Sequence, residues 1–168
     1  VQLAHLMRDV KFSDPPMDCL GPVGEYNLRW GIIKELKPDM VATFQDAGCT
    51  HEGHPMVVEA GVCLGGRDAK PGITVYRFAN RIPLLFEGGA DVATQVSKRR
   101  INWSTYKIRH SVDKIGVFVS LVSTKVPFKG TGKEYIGDDV KAMADAVQSA
   151  IKQCCGQLRQ KLEPCIAV

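Results

Sequence analysis

No apolar stretch in this sequence approaches the ~20 residues that cross a bilayer. No secretory leader is visible. None of the six cysteines (Cys19, Cys49, Cys63, Cys154, Cys155 and Cys165) forms a CxxC pair or a framework spacing. They read as reduced thiols of an intracellular protein. Internal repeats and low-complexity tracts are missing. So are a Ser-His-Asp set, a Cys–His pairing suited to a nucleophile, and a carboxylate pair with an evident role. That argues against an enzyme acting alone. The chain also lacks a complete phosphate cradle, because GTGK at 130–133 misses four residues and the Ser/Thr of a Walker A loop. There is no starting Met, VQLAHLMRDV reads as the middle of a helix, and LEPCIAV gives no clear stop. The expectation is a piece of a longer polypeptide, whose remainder would hold the active site.

What is present is one domain's worth of chain. The 168 residues carry an ordinary apolar share, 45%, and a mild net charge of +4. Positive charge is densest at Lys98, Arg99, Arg100, Lys107, Arg109, His110 and Lys114, with Trp103 and Tyr106 among them. Aromatics between cations can bind nucleic acid, and Lys98, Arg99 and Arg100 are the candidate DNA contacts. A buried Trp103 under a solvated basic face is the plainer alternative.

Periodicity sets out the elements. Residues 1–10 form a short helical pattern, and KFSDPPMDC (11–19) is a turn-rich linker. A helix is expected from Pro22 to Leu36, with Val23, Tyr26, Trp30, Ile33 and Leu36 on its apolar stripe. Strands follow at 40–44, 56–64 and 73–78; Met56, Val58, Ala60, Val62 and Leu64 share one face of the second. Stretches 45–55 and 82–89 read as loops, and 90–98 as a short helix. IGVFVSLV (115–122) is apolar on both faces and so should be a central strand. The last helix is the clearest: Val140, Met143, Val147, Ile151, Cys154, Leu158 and Leu162 step by three or four, with Asp138 and Asp139 at its start. From 139 to 162 it would run ~36 Å, longer than a four-stranded sheet needs, so it should reach beyond its own domain. The order is helix, three strands, helix, strand, long helix. That is an α+β two-layer sandwich, a four-stranded sheet backed by helices, with an N-terminal helical appendage.

The richest candidate site is LVSTKVPFKGTGKEY (121–135). An apolar strand ends in lysines and glycines just before a helix, and flexible backbone with cations is how proteins meet phosphate. Lys133, after Gly130 and Gly132, is the first candidate; Lys125 and Lys129 share the loop. A solvated loop lysine is the alternative for each. Cys49, His51 and His54 (CTHEGH) lie close in sequence, but no second ligand pair accompanies them, so no metal site is assigned. Arg77, Asn80 and Arg81 (YRFANRIP) could grip a phosphate or carboxylate, or satisfy loop carbonyls.

The strings DCLGPVGE (18–25), VVEAGVCLGG (57–66), YRFANRIPLLFEGGADV (76–92), INW (101–103) and VSTKVPFKGTGKEYI (122–136) closely resemble the B subunits of DNA topoisomerase VI, nearer to plant nuclear forms than to archaeal ones. The likeness runs from about residue 1 to 162. It implies the tail of a helical insert domain and linker over 1–20, then a transducer domain over 21–168 with a βββαβα order and a left-handed βαβ crossover, an exception to the usual hand. It implies Lys133 as a sensor of the ATP γ-phosphate and the last helix as a lever. The implied partners are the DNA-cleaving A subunit, reached through that helix, a second B subunit in an ATP-dependent dimer, and double-stranded DNA, in a nuclear enzyme that relaxes supercoils and decatenates DNA. ATP and Mg2+ would be bound by the full-length protein and not by this piece, which alone should be inactive. The alternative implied by the family is an ATP-independent scaffold for a meiotic DNA-break-forming complex.

Overall fold

The computed structural model describes residues 2–11, 13–67, 69–85, 89–130 and 135–166. Helix α1 spans Gln2–Asp9 and α2 Glu25–Leu36. Strands β1 (Met40–Gln45), β2 (Cys49–His51), β3 (His54–Leu64), β4 (Gly72–Ala79) and β5 (Ile82–Pro83) follow. Helix α3 is one turn, Val92–Gln95, continued by a π-helical turn to Arg100, and Trp103–Tyr106 is a 3₁₀ turn. Strand β6 (Lys114–Ser123), the ribbon β7 (Phe128–Lys129) and β8 (Tyr135–Ile136), and helix α4 (Lys141–Ile166) complete the chain.

The main sheet has six strands in the order β1-β3-β6-β4-β5, with β2 added on β3. The expected four strands are its long members. Two short ones join because their turns are tight. Glu52 (φ 49°) and Gly53 (φ 78°) return β2 into β3, and Asn80 (φ 48°) and Arg81 (φ 68°) return β4 into β5. Two successive positive φ values match the natural twist of a hairpin. Strand β6 is internal, antiparallel to β3 and parallel to β4, as its two apolar faces require.

Both faces of that sheet are covered, which corrects the two-layer expectation. On one face Met56, Val58, Ala60 and Val62 of β3 and Val117, Val119 and Leu121 of β6 meet Met143, Val147, Ile151, Cys154 and Leu158 of α4, all buried. On the other, Val41, Cys63 and Phe118 meet Ile32 of α2, with Leu28 and Leu36 beside it. A chain that makes β3 and β6 apolar at successive residues must bury both sides. The α2 stripe is therefore Leu28, Ile32 and Leu36. Tyr26 and Trp30, expected on it, are 72% and 54% exposed and pack edge to face at 6.1 Å. The helix is apolar on several sides, so spacing alone does not fix its phase.

Nor does α2 begin at Pro22. Its N-cap is Gly24, at φ 87°, and what stops it there is Glu59 in the middle of β3. That carboxylate is fully buried and accepts from Val23 N at 3.0 Å and Gly24 N at 2.6 Å. A buried charge needs such partners, and amides at a helix start are good ones. Close approach is possible because Gly61 has no side chain: a Cβ there would lie 2.6 Å from Ile32 Cδ1. At the other end Lys37 takes the left-handed conformation (φ 45°), and Pro38 follows, as expected of a helix stop.

Helix α4 is 26 residues, ~39 Å, long. It does not overhang its sheet where its side chains are described. Gln157 Nε2 donates to Thr43 O at 3.2 Å and Lys161 Nζ to Val41 O at 2.9 Å. Those carbonyls lie on the outer border of β1, where Glu25 also accepts from Gln45 N at 2.9 Å. At the far border β5 is two exposed residues ending in Pro83.

The Glu59 arrangement yields a prediction. Glu59→Ala should lose about 3 kcal/mol in urea unfolding, since each hydrogen bond to a charged group contributes about 1.5–3 kcal/mol. A loss below about 1 kcal/mol would show that α2 is held by packing alone.

Candidate functional site

The segment between β6 and α4 is more than a turn. Strand β6 ends at Ser123, and the β7–β8 ribbon pairs Phe128 with Ile136 and Lys129 with Tyr135. Ser123 fixes the exit: its Oγ donates to Pro55 O at 2.9 Å and accepts from Lys125 N at 3.2 Å. The Asn80 amide closes on the Ser123 backbone, donating to its carbonyl at 3.1 Å and accepting from its N–H at 3.0 Å. Lys133, the first candidate, is in the connection from β7 to β8 and lies outside the described residues.

Lys125 and Lys129 are described, and each meets a carboxylate. Lys125 Nζ lies 3.3 Å from Glu52 Oε2, both exposed. Lys129 Nζ lies 2.8 Å from Asp139 Oδ2. The hydrogen bond to Asp139 raises the Lys129 pKa above its ordinary value, and the same bond lowers that of Asp139. Gly137 lies close under this pair: a Cβ there would sit 2.7 Å from Asp139 Oδ1 and 3.1 Å from the Lys129 stem. Lys129 is thus a strap from the ribbon to the residues that open α4. Asp139 acts there as the lysine's partner and precedes the first helical residue, Lys141, by two positions.

The YRFANRIP residues form a structural network. Arg77 Nη1 meets Asp91 Oδ1 at 3.1 Å, with side chains 10% and 2% exposed. Asp91 also caps α3, accepting from Thr94 N at 2.9 Å, and holds Gly89 N at 3.2 Å. Arg81 Nε donates to Gly21 O at 2.7 Å and so ties the linker before α2 to the β4–β5 turn. Sequence reasoning passes over Asp91 and Glu59. The signal for Asp91 is an acid placed just before a helix; a lone Glu between Val58 and Ala60 gives none.

CTHEGH is a hairpin, not a loop. Cys49 faces Met56 and His51 faces His54 across it. His54 Nδ1 lies 3.0 Å from Thr124 Oγ1, so this hairpin and Lys125 support one another. No group of three or more His, Cys, Asp or Glu that could hold a metal occurs among the described residues. Cys154 and Cys155 are both fully buried, and burial pushes the Cys155 thiol up to about 12 and that of Cys63 to about 11, so neither is a nucleophile.

Lys98, Arg99 and Arg100 are exposed together on the π-helical turn. Arg100 lies 3.9 Å from Asp138. Trp103 is 3% exposed and donates from Nε1 to Ser97 O at 2.8 Å, and Tyr106 packs against the core, so neither is a base-stacking platform. Lys114 is engaged by Gly66 O at 3.0 Å and Arg109 by Asp113 at 3.0 Å. No helix among the described residues is long and apolar enough to cross a membrane.

These pairs can be tested by substitution and by titration. Asp91→Ala should cost about 3 kcal/mol, because it removes both a buried charged partner of Arg77 and the cap of α3, whereas Asp91→Asn keeps the cap and should cost less; thermal unfolding of the two variants checks the order. In an NMR titration the Asp139 carboxyl should have its midpoint below the ordinary 3.8. Because its folded pKa is the lower one, its stabilisation is present above the unfolded value and is lost as pH falls through the folded one. The strap therefore holds across the neutral range.

Comparison with known proteins gives the geometry a family. A family model described as topoisomerase VI B subunit, transducer, matches residues 15–165. The chain is 65% identical over 162 residues to the B subunit of DNA topoisomerase 6 from Arabidopsis thaliana, covering 96% of this chain and 24% of that protein. The match to the rice protein of the same name (Oryza sativa subsp. japonica) is 62% over 162 residues, 96% of this chain and 23% of that one. The B subunit of the type 2 DNA topoisomerase 6 from Methanococcoides burtonii is 34% identical over 167 residues, 96% of this chain and 26% of that one. The chain thus spans about a quarter of the length of these relatives. On both the family model and the identity, the chain belongs to the transducer family of topoisomerase VI B subunits.

Proposed function

We propose that this chain is the motion-transmitting part of the ATP-driven B subunit of a VI-type, type II DNA topoisomerase that relaxes supercoils and decatenates DNA. The observation that carries the proposal is the 2.8 Å contact between Lys129 and Asp139, which fastens the strand leading into GTGKE to the start of α4. A displacement of that loop is thereby a displacement of the helix and of the core it fills. In this reading residues 1–20 end the helical insert domain and its linker, residues 21–168 are the transducer, and the β4-to-β6 crossover has the family's left hand.

Lys133 is the γ-phosphate sensor. Lys125 and Lys129 are poorer candidates because Glu52 and Asp139 already answer their charges. A lysine meets a phosphate oxygen as a mobile point charge, so it can report the presence of one group without holding the whole ligand. ATP and Mg2+ are bound by the rest of the full-length protein, where ATP hydrolysis supplies the driving free energy.

Helix α4 carries the signal to the A subunit from its far end, since residues as late as Lys161 are committed to β1. A second copy of the full-length protein completes the ATP-dependent dimer. Lys98 and Arg99 provide phosphate contacts to duplex DNA, with Arg100 partly occupied by Asp138. They fix no sequence preference.

The test is Lys133→Ala in the assembled heterotetramer. ATP turnover and strand passage should fall about 10- to 100-fold, the equivalent of one charge-assisted contact, while DNA cleavage competence persists. Unchanged ATP turnover overturns the sensor role, and an unmutated complex with no ATP turnover at all favours the ATP-independent scaffold. Lys129→Met should behave differently: ATP turnover continues and strand passage drops. Charge reversal at Lys98 and Arg99 should reduce the salt dependence of DNA affinity by about two units of slope, near 0.9 per phosphate contact.

A further inference from the structure

One margin of the main sheet is open along most of a strand. Strand β5 pairs only with Phe78 and Ala79 of β4, so residues 72–76 have β6 on one side and no strand on the other among the described residues. The alternation of β4 says which groups face out. Gly72 N donates inward to Asp113 O at 3.0 Å and Asn80 N to Leu121 O at 2.8 Å, whereas Arg77 O accepts from Leu84 N at 2.8 Å on the outer side. Even-numbered residues therefore serve β6, and the N–H and C=O of Ile73 and Val75 point outward. Natural edges are blunted by charge, proline or a bulge. GITVY (72–76) has no charge and no proline, and its register with β6 runs unbroken from Gly72 to Ala79. Two donors and two acceptors in a row are what an extended strand completes.

The segment is complementary to itself. Antiparallel pairing with a second copy of this chain about a two-fold axis at Thr74 sets Ile73 opposite Val75 of the second copy, and Val75 opposite its Ile73. All four outward groups of each copy then find partners, as hydrogen-bonded pairs. Neighbouring centres fail. An axis at Gly72 or Ile73 sets an outward residue against Pro71, which has no N–H. An axis at Val75 or Tyr76 sets one against Arg77, whose carbonyl Leu84 N already holds. At Thr74 the side chains match too: Thr faces Thr, and the β-branched Ile faces Val. Tyr76, stacked on Phe118 at 4.4 Å, falls opposite Gly72 of the second copy and covers that edge glycine. We propose that two copies of this chain join through β4, antiparallel and centred on Thr74, into one continuous sheet. Five residues a side make a small interface, so the pairing is of the transient class. It is separate from the ATP-dependent dimer proposed above and does not depend on it.

The test uses the full-length B subunit without nucleotide, so that the ATP-dependent pairing does not contribute. Sedimentation equilibrium across the micromolar range should show monomer–dimer exchange. Thr74→Glu should weaken it about 10-fold or more, because like charges meet at the axis. Thr74 is exposed, so the fold tolerates the change. Thr74→Cys sets two thiols opposite one another in a non-hydrogen-bonded pair, within reach of a disulfide. Oxidation of that variant should give a reducible dimer well above the wild-type background. Lys70→Cys, also at an exposed position, lies opposite Phe78 in this register and should stay monomeric. Three results overturn the pairing: a monomer at every concentration, association that Thr74→Glu leaves unchanged, or Lys70→Cys cross-linking as readily as Thr74→Cys.

Discussion

Glu59 gives up water entirely to hold two backbone amides, and the second face of the molecule is organised around that exchange. Its carboxylate is fully buried, where an unpaired charge would be prohibitive. The N–H groups of Val23 and Gly24 and the start of α2 make it tolerable. The helix can only run in the direction those amides set. From that start, Leu28, Ile32 and Leu36 land over Val41, Cys63 and Phe118, and Gly61 leaves the gap that Ile32 enters. Arg81 then secures the preceding linker through Gly21.

The opposite face works as one solid piece. Helix α4 is buried from Met143 to Leu158 along a single stripe, and it is fastened at several places along its length. Gln148 holds Arg100 O near the π-helical turn at 2.9 Å, and Gln157 and Lys161 hold β1. The exposed Lys129–Asp139 pair adds a contact between the ribbon and the residues that open the helix. Such a body turns as a whole; close-packed side chains resist sliding one element past another. A sensor at one end and a partner at the other would be linked by rigidity, without any internal rearrangement.

Much of this is legible in the residues. Strand β3 alternates for nine positions, β6 is apolar throughout, and α4 steps by three and four. Burial of one face or of both leaves those patterns whatever the surroundings. Other features depend on partners distant in the chain. Spacing cannot phase α2, because Tyr26 and Trp30 are as apolar as the residues that point inward. Strand β2 is hidden in the polar CTHEGH because it is held by one neighbour and a two-residue turn. The third layer is implicit in β6's double-sided apolarity, yet the order of elements alone suggests only two. The overhang of α4 fails for a related reason. Helix length alone does not say how much sheet lies beneath, and Lys161 near the helix end reaches a strand carbonyl. The Arg77, Asn80 and Arg81 cluster could have served a ligand or the fold, and only Asp91, Ser123 and Gly21 decide for the fold.

The two borders of the sheet differ, with consequences for assembly. On the β1 side, the outward carbonyls of Val41 and Thr43 and the outward amide of Gln45 are taken by side chains of α4 and α2. That border is a poor template for a further strand. On the other side β5 covers only Phe78 and Ala79 of β4. The outer edge of β4 from Gly72 to Tyr76 pairs with no strand among the described residues, so the addition of a strand from a neighbour or an unfolded copy is directed to that one margin.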